Sequence, residues 1–397
     1  MVRSMKEGIE KWIGKIICGD WIEVMSTFPS ESIDFVMFSP PYWGLRDYGV
    51  DKQIGLEPTY QEYIEKLVLG CREIKRILKK TGSMYIVIGD VYSGGKGNQG
   101  GKNPHPKGYK GLDKLPPCPP TGLPPKCLIG IPWRLALALI DDGWILRNDI
   151  IWYKPNHMPS SVKDRLTNTY EHVFHFVKSK KYYYNLDMIR VPHSSSAIER
   201  AIRELKKRLR TKIKNNKWIR ARESKLVKDP LQGLHGKSYA EIDFGDLLEK
   251  LTKHDIAVKR IGKFSYTDPL HVKAYHPKGK NPGDFWSIKT RPFPEAHFAV
   301  YPVDLCVYPI LSSCPPDGVV LDPMCGAGTT MLTCELINHK KWDEFKIYIN
   351  EEAKKTNWNL KWIGIDVNPE YCKLSEKRLE PYVSQRKLEE FITVERC

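Results

Sequence analysis

Two short segments, far apart in the chain, carry residue types that could do chemistry together. The first, Ser39-Pro40-Pro41-Tyr42, follows an apolar run over 33–38. Consecutive prolines remove two N–H donors and leave nearby carbonyls as free acceptors, while Ser39 adds a hydroxyl and Tyr42 a flat face for stacking. Two acceptors on the hydrogens of an exocyclic aromatic amine would free its delocalised lone pair. The turn therefore suits an aromatic amine brought to a reactive carbon, although a plain Pro-Pro turn is the alternative for this motif alone.

The second segment is a glycine-rich turn that leads from a strand into a helix, Asp322-Pro323-Met324-Cys325-Gly326-Ala327-Gly328-Thr329-Thr330. Glycines let the backbone approach a ligand, and the following helix N-terminus offers free N–H groups. The spacing is neither Gly-x-Gly-x-x-Gly nor a phosphate loop, so the NAD fingerprint and a P-loop are excluded. Asp366 ends the next strand, where doubly wound folds hold ribose hydroxyls. The pair predicts a nucleotide-like cofactor; a tight turn and a strand-end cap are the alternatives.

The charge of the chain indicates a polyanionic partner. Its 397 residues include 63 Lys and Arg against 47 Asp and Glu, a formal charge of +16 with a pI near 9.2. Nucleic acid is one partner that fits, and an ordinary solvated basic surface is the alternative. The apolar runs are too short for a membrane span and the N-terminus lacks a signal peptide, so we expect a cytoplasmic protein that does not enter a membrane.

Other features of the composition bear on cofactors and source. None of the ten cysteines forms a Cys-x-x-Cys pair, and we expect no metal site. Gln is rare while Lys, Glu and Ile abound, a bias typical of thermophilic proteins.

The rhythm of the chain predicts an α/β fold. Buried strands alternate with amphipathic helices, which is typical of a doubly wound, mostly parallel sheet covered by helices on both faces. Segments 171–177 and 182–184 are predicted to form an antiparallel edge hairpin around 178–181. A Gly-, Pro- and Lys-rich stretch, 92–126, is predicted to be a mobile loop, either a binding lid or a surface excursion.

The sheet rhythm stops over 190–283, where a long basic tract begins. We interpret this part as an inserted recognition domain that divides a core of 1–189 and 284–397. A polar insertion at 340–359 also delays the strand that ends in Asp366.

With these motifs, the chain resembles the β class of amino-group DNA methyltransferases, the permuted kind in which the catalytic motif comes first. The resemblance covers about three quarters of the chain and leaves out the basic insertion. The matching segments are Ser39-Pro40-Pro41-Tyr42, Trp152-Tyr153-Lys154-Pro155-Asn156, His297-Phe298-Ala299-Val300-Tyr301-Pro302, Asp322 to Thr330, and Gly364-Ile365-Asp366.

The resemblance implies a role for each matching residue. Ser39 and the Pro40 carbonyl hold the target amine beside Pro41, and Tyr42 stacks on a flipped base. The implied S-adenosylmethionine site, whose product is S-adenosylhomocysteine, takes in Asp20, Phe298, Pro302, Asp322, Pro323, Cys325, Gly326, Gly328, Thr329 and Asp366. The side chains predicted to contact DNA, from the positive charge of the insertion and the loop as well as from the matching segments, are Lys96, Lys154, Asn156, Arg203, Lys207 and Arg210.

The implied function is methyl transfer to the N4 amine of cytosine at a specific site in double-stranded DNA, in a restriction–modification system. A cognate restriction endonuclease fits as a further partner, although the sequence does not establish one. Ser rather than Asp at position 39 favours cytosine in this family, and N6-adenine is the alternative. Methylation of a protein glutamine and a non-catalytic basic DNA-binding protein are more distant alternatives. The sequence does not fix the oligomeric state.

Overall fold

The computed structural model describes residues 7–45, 47–94, 121–197, 200, 203, 276, 278–291 and 300–395. Most of them build one sheet with helices packed against it. The strands are β1 Lys15–Cys18, β2 Ile33–Phe38, β3 Leu78–Ile88, β4 Ile145–Tyr153, β5 Tyr170–Val177, β6 Phe285–Ser287, β7 Val319–Asp322 and β8 Lys361–Asp366. The helices are α1 Glu7–Glu10, α2 Trp21–Ser26, α3 Tyr60–Ile77, α4 Ile131–Asp141, α5 Val303–Ser313, α6 Thr329–Asn338, α7 Glu351–Lys355 and α8 Pro369–Glu395, with 3₁₀ turns at Leu186–Met188 and Trp342–Glu344.

The eight strands form one sheet in the order β1-β8-β7-β2-β3-β5-β4-β6. All neighbours are parallel except β5, which is antiparallel to both β3 and β4. The predicted α/β class with a mostly parallel, doubly wound sheet is therefore confirmed. Because β1, β8, β7, β2 and β3 run in parallel, their carboxyl ends meet along one edge of the sheet.

Strand β2 holds the centre of the sheet because every one of its residues is buried. Its one charged residue, Asp34, accepts hydrogen bonds from Lys79 Nζ at 2.7 Å and from the Val319 amide at 2.9 Å. The carboxylate thus ties β2 to both of its neighbours and offsets the cost of burial. Alternate residues of the sheet pack on α2, α3 and α4 on one face. On the other face, Tyr85 Oη lies 2.9 Å from Ser313 Oγ of α5.

The predicted edge hairpin, which paired segment 171–177 with 182–184, is wrong. Tyr182 to Tyr184 do not form a strand, and β5 pairs instead with β3 and β4. The tyrosines pack their rings on the sheet: Tyr182 and Tyr184 lie 5.9 and 6.0 Å from the His175 ring, measured between centroids.

Three further elements differ from the sequence prediction. The buried helix α5 and the edge strand β6 had no predicted counterpart, and α8 continues to Glu395 rather than ending near residue 379. Helix α5 contains Pro309 and is buried along its whole length, so it lacks the amphipathic period that identifies surface helices.

The chain divides into two compact units, one of Met1–Ile189 with Gly283–Cys397 and one of Arg190–Pro282. Within the second unit, Val191 and Lys280, which lie close to its two ends in the sequence, form an antiparallel bridge. The residues from 204 to 275 lie outside the described part, as do 95–120 of the predicted loop. The recognition role of the insertion and the mobility of the loop therefore stay predictions.

Candidate active site

A cavity of about 690 Å³ opens at the carboxyl ends of β1, β2, β7 and β8. Its size lies within the range of pockets that enclose a cofactor-sized ligand, and its place at the strand ends is where open α/β sheets bind ligands. Both turns identified from the sequence contribute to its wall. The predicted residues that line it are Asp20, Ser39, Pro40, Pro41, Tyr42, Lys154, Asn156, Pro323, Cys325, Gly326, Thr329 and Asp366.

The remaining predicted residues lie elsewhere. Pro302, Asp322 and Gly328 do not line the cavity, although each stands next to a residue that does. Arg203 is an exposed helical residue of the second unit. The predicted residues outside the described part are Lys96, Lys207, Arg210 and Phe298.

The Ser-Pro-Pro-Tyr turn is braced from below by a second loop and by α3. Tyr63 Oη of α3 donates a hydrogen bond to the Pro41 carbonyl at 2.9 Å. The Gly44 amide bonds the Gly55 carbonyl at 2.8 Å, and the Gly55 amide bonds Glu57 Oε2 at 2.8 Å. These bonds hold the turn in one conformation.

The acceptors that the turn leaves available are those expected of an amine site. Within the described ranges, no hydrogen-bond donor contacts the Pro40 carbonyl, while the Pro41 carbonyl is occupied by Tyr63. The half-buried Ser39 hydroxyl stands at the start of the same turn, in the wall of the cavity. One hydroxyl and one carbonyl oxygen can therefore accept both hydrogens of a bound amine.

The ring of Tyr42 is held on both sides. Its hydroxyl donates to Glu171 Oε2 at 2.8 Å. Gly89, which follows β3, lies against the ring so closely that an added Cβ would come within 2.7 Å of Tyr42 Cε2. Burial and the Glu171 carboxylate raise the pKa of Tyr42 well above its ordinary value, and the Ser39 hydroxyl lowers it in part. Tyr42 is therefore a neutral, fixed aromatic surface that faces the cavity.

Lys154 is paired inside the cavity wall rather than extended from it. Its ammonium bonds Glu171 Oε1 and lies 4.3 Å from the centre of the Trp152 ring. Glu171 thus links Lys154 to Tyr42 through its two carboxylate oxygens. Asn156, predicted beside Lys154 to meet DNA, pairs its side chain with both backbone groups of Thr290, each at 2.9 Å.

The glycine-rich turn is closed by contacts with β8 and α8. Gly326 and Gly328 have φ of 50° and 72°, a region that side-chain-bearing residues rarely adopt. Asp366 receives the Gly326 amide on Oδ2 at 2.8 Å, and Ser375 Oγ donates to the Gly326 carbonyl at 2.6 Å. Gly328 packs on Ser375, so its absence of a side chain serves the turn rather than the cavity.

Two carboxylates reach the cavity with acceptor capacity left over. Asp366 accepts from the amides of Gly326 and Asn368 with one oxygen each, and burial raises its pKa. Asp20 caps α2 through Oδ1 alone, which accepts from Ile22 and Glu23 at 2.9 and 3.0 Å. Since a carboxylate has about four acceptor sites, both can still receive ligand hydroxyl or amino groups.

Asp322 is a buried structural group. Its Oδ2 accepts from Thr330 Oγ1 at 2.6 Å and from Tyr301 Oη at 2.8 Å, and its Oδ1 accepts from the Met324 amide at 3.1 Å. Burial raises the pKa of Asp322 to about 6. The side chain fixes the start of the glycine-rich turn and its link to Tyr301, which itself lines the cavity.

Several residues that line the cavity or support its wall were missed by sequence reasoning. Glu171 and Gly89 stand at strand ends, but nothing in the local sequence connects either to Tyr42. Tyr48 and Tyr371 meet edge to face in the wall at 5.9 Å, and Asn368 follows Asp366. The one available signal was the position of Asn368 directly beyond a predicted strand end.

Neither metal binding nor a membrane span is indicated within the described part of the chain. There, His, Cys, Asp and Glu side chains form no group of three or more that could hold a metal ion. In the same ranges, no helix combines the length and apolar character needed to cross a bilayer.

Comparisons with known proteins place this cavity in context. Residues 33–377 match a family described as DNA methylase, of the N6/N4 type. The chain is 34% identical over 362 residues to the type II methyltransferase M.XycI of Xanthomonas campestris pv. cyanopsidis, covering 91% of this chain and 86% of that protein. It is 33% identical over 365 residues to the type II methyltransferase M.SmaI of Serratia marcescens, covering 92% and 90%.

A solved structure, the PvuII DNA methyltransferase (cytosine-N4-specific), aligns with a TM-score of 0.48 and 17% identity over 91% of this chain and 88% of that one. A likeness this loose carries no inference about substrate. The family match, by contrast, spans both turns of the cavity.

Proposed function

Because this chain belongs to the N6/N4 DNA methylase family, as a match over residues 33–377 and relatives above 30% identity show, we propose that it methylates the N4 amine of cytosine at a specific site in duplex DNA. The coarser activity, DNA methyltransferase of the amino-group, restriction–modification type, follows from family membership. The base, the cofactor and the residue roles are the proposal.

The observation that carries the proposal is the pairing of two free acceptors with one aromatic wall. Ser39 and the Pro40 carbonyl receive the two hydrogens of an exocyclic amine, which draws the nitrogen lone pair out of the base ring. Tyr42, fixed by Glu171 and Gly89, stacks on the same base. Holding the reacting groups in place in this way can supply a substantial part of the reduction in the reaction barrier.

The methyl donor of the proposal is S-adenosylmethionine. When bound, it supplies an electrophilic methyl group on a sulfonium and leaves as S-adenosylhomocysteine. Asp366 and Asp20 offer acceptors for its ribose and amino groups, and Gly326 lets the backbone come close. Pro323, Cys325 and Thr329 line the same stretch of wall. The fit between these residues and the donor rests on their acceptor atoms and on the cavity volume.

Duplex DNA must release the target base before it can reach Ser39, at a cost of a few kcal/mol in unstacking. The net charge of +16 favours contact with phosphates. We assign the recognition of sequence to the insertion at 190–283, with Arg203, Lys207 and Arg210 on phosphates and Lys96 on the loop 92–126. Replacing 195–280 with a short Gly-Ser linker should leave a core that binds cofactor but modifies no specific site.

The decisive experiment is nucleoside mass spectrometry on DNA from cells that express the protein, with Ser39→Ala as the matched control. We expect N4-methylcytosine with the wild type and almost none with the variant. N6-methyladenine alone would move the function to adenine, the alternative that shares this acceptor pair. 5-Methylcytosine would overturn the mechanism, because Ser39 and the Pro40 carbonyl are proposed to hold an exocyclic amine and neither can attack a ring carbon.

A further inference from the structure

A loop at the rim of the cavity presents one leucine almost entirely to solvent. The loop, residues 154–169, connects β4 to β5 and is called the rim loop here. Leu166, near the end of the loop that leads into β5, is 90% exposed, the most exposed of the large apolar side chains in the described part. Single exposed leucines are common on protein surfaces, so it is the mounting and the place of Leu166 that single it out.

The rim loop is tied down on both sides of Leu166. At its base, the Lys154 amide bonds the Thr169 carbonyl at 2.8 Å. Close to Leu166, Asp164 pairs with Lys126 at 2.7 Å. The Arg165 guanidinium stacks 4.0 Å from the centre of the Tyr92 ring and donates to the Leu166 carbonyl at 3.1 Å. The backbone of Leu166 is therefore held in place while its side chain points outward.

Both limbs of the rim loop enter the wall of the cavity. His157 and Met158 line the cavity from one limb, Asn168 lines it from the other, and Glu171 follows on β5. Leu166 itself does not line the cavity. Because it lies two residues from Asn168, it stands close to the rim of the cavity that Tyr42 lines.

The charge around Leu166 favours a nucleic acid as the occupant. Lys163 and Arg165 precede it, and both are exposed, whereas the acidic neighbour Asp164 is neutralised by Lys126. An apolar tip beside two cations matches a duplex, whose phosphates surround an apolar stack of bases. Met158 is also exposed, but as a lining residue it belongs to the cavity.

We propose that Leu166 is a wedge that enters the base stack of duplex DNA at the place vacated by the flipped base. The inference rests on the proposed function and adds to it a residue that stabilises base extrusion without touching the reacting atoms. Apolar side chains inserted between bases are a general way for proteins to offset unstacking. The rigid mounting of Leu166 makes the insertion inexpensive in conformational entropy.

The test compares two duplexes that carry the recognition sequence identified by mapping methylated sites. In one, the target base is normally paired; in the other, it lies opposite an abasic position and is already free to leave the stack. We expect Leu166→Ala to lower kcat/KM on the paired duplex by roughly tenfold to a hundredfold, the range that corresponds to losing the burial of a leucine. On the second duplex the loss should fall within about twofold, since extrusion costs little there.

Two variants serve as controls. Leu166→Met keeps an apolar side chain of similar size and should retain most activity on the paired duplex. Leu69→Ala removes another exposed leucine, half-exposed on α3 and outside the cavity, and should leave both duplexes unaffected.

Equal losses on the two duplexes would overturn the wedge, as they would show a structural effect on the cavity. A shift in oligomeric state caused by Leu166→Ala, measured by sedimentation, would also overturn it, because a second copy of the chain would then be the occupant. Failure of the proposed function looks different: the wild type itself would methylate neither duplex.

Discussion

Gly89→Ala is a one-carbon change that tests how precisely Tyr42 must be placed. The added Cβ would lie 2.7 Å from Tyr42 Cε2 and 3.3 Å from Cδ2, whereas carbon atoms pack favourably at about 3.5–4.0 Å. Gly89 does not adopt the left-handed backbone conformation, so alanine causes no backbone strain there. The ring must therefore move by about 1 Å, away from the position fixed by Glu171.

The expected effect follows from that displacement. A misplacement of about 1 Å can cost roughly a hundredfold in rate when a reaction depends on positioning. Because the cofactor turn around Gly326 is on different strands, S-adenosylmethionine affinity should change by less than about twofold. This is well below the tenfold change in affinity that about 1.4 kcal/mol would produce. Single-turnover methylation with a radiolabelled donor measures the rate, and calorimetric titration measures the affinity.

The control is the same substitution in a protein that already lacks the ring. In the Tyr42→Ala background, Gly89→Ala should cause no further loss, since the new methyl group then meets no aromatic carbon. An equal loss in both backgrounds would refute the reasoning, as would full activity of Gly89→Ala alone.

Three further predictions concern other parts of the molecule. Gly326→Val places a β-branched residue at φ of 50° and should abolish cofactor binding, whereas Ser39→Ala should bind cofactor normally and lose most turnover. Equal cofactor affinities of the wild type and Gly326→Val in calorimetry would contradict the assignment of the turn. Burial raises the pKa of Asp322 to about 6, so ionisation of this carboxyl group should destabilise the fold. Relative to Asp322→Asn, the wild type should lose up to about 3 kcal/mol of unfolding free energy, measured by urea unfolding, as the pH rises from about 4 to about 7. A difference between the two proteins that does not change with pH would refute this prediction. Replacing Arg203, Lys207 and Arg210 of the insertion by alanine should weaken binding to every DNA sequence. The slope of log affinity against log salt, measured by fluorescence anisotropy, should fall in magnitude by about 0.9 for each phosphate that is no longer neutralised. An unchanged slope would be the contrary result.

The sequence by itself determined the two turns of the site and the edge at which they meet. The conformations of Pro40-Pro41 and of Gly326 and Gly328 are local properties, because proline restricts φ and glycine permits positive φ. Alternating strands and helices imply parallel strands, and parallel strands bring their carboxyl ends together. Ser39, Cys325 and Asp366 could therefore be placed in one cavity before any contact between them was known.

Only the tertiary structure decided which side chains hold that site in shape. Glu171 reaches Tyr42 because β5 inserts between β3 and β4, and strand order depends on long-range packing that no local pattern encodes. The same applies to Gly89, whose contact with the Tyr42 ring arises between neighbouring strand ends, and to Asp322, which the fold buries among hydroxyl groups instead of exposing to a ligand. Backbone conformation is fixed by residues next to each other in the chain, whereas partners of a side chain are fixed by the register and order of strands far apart in it.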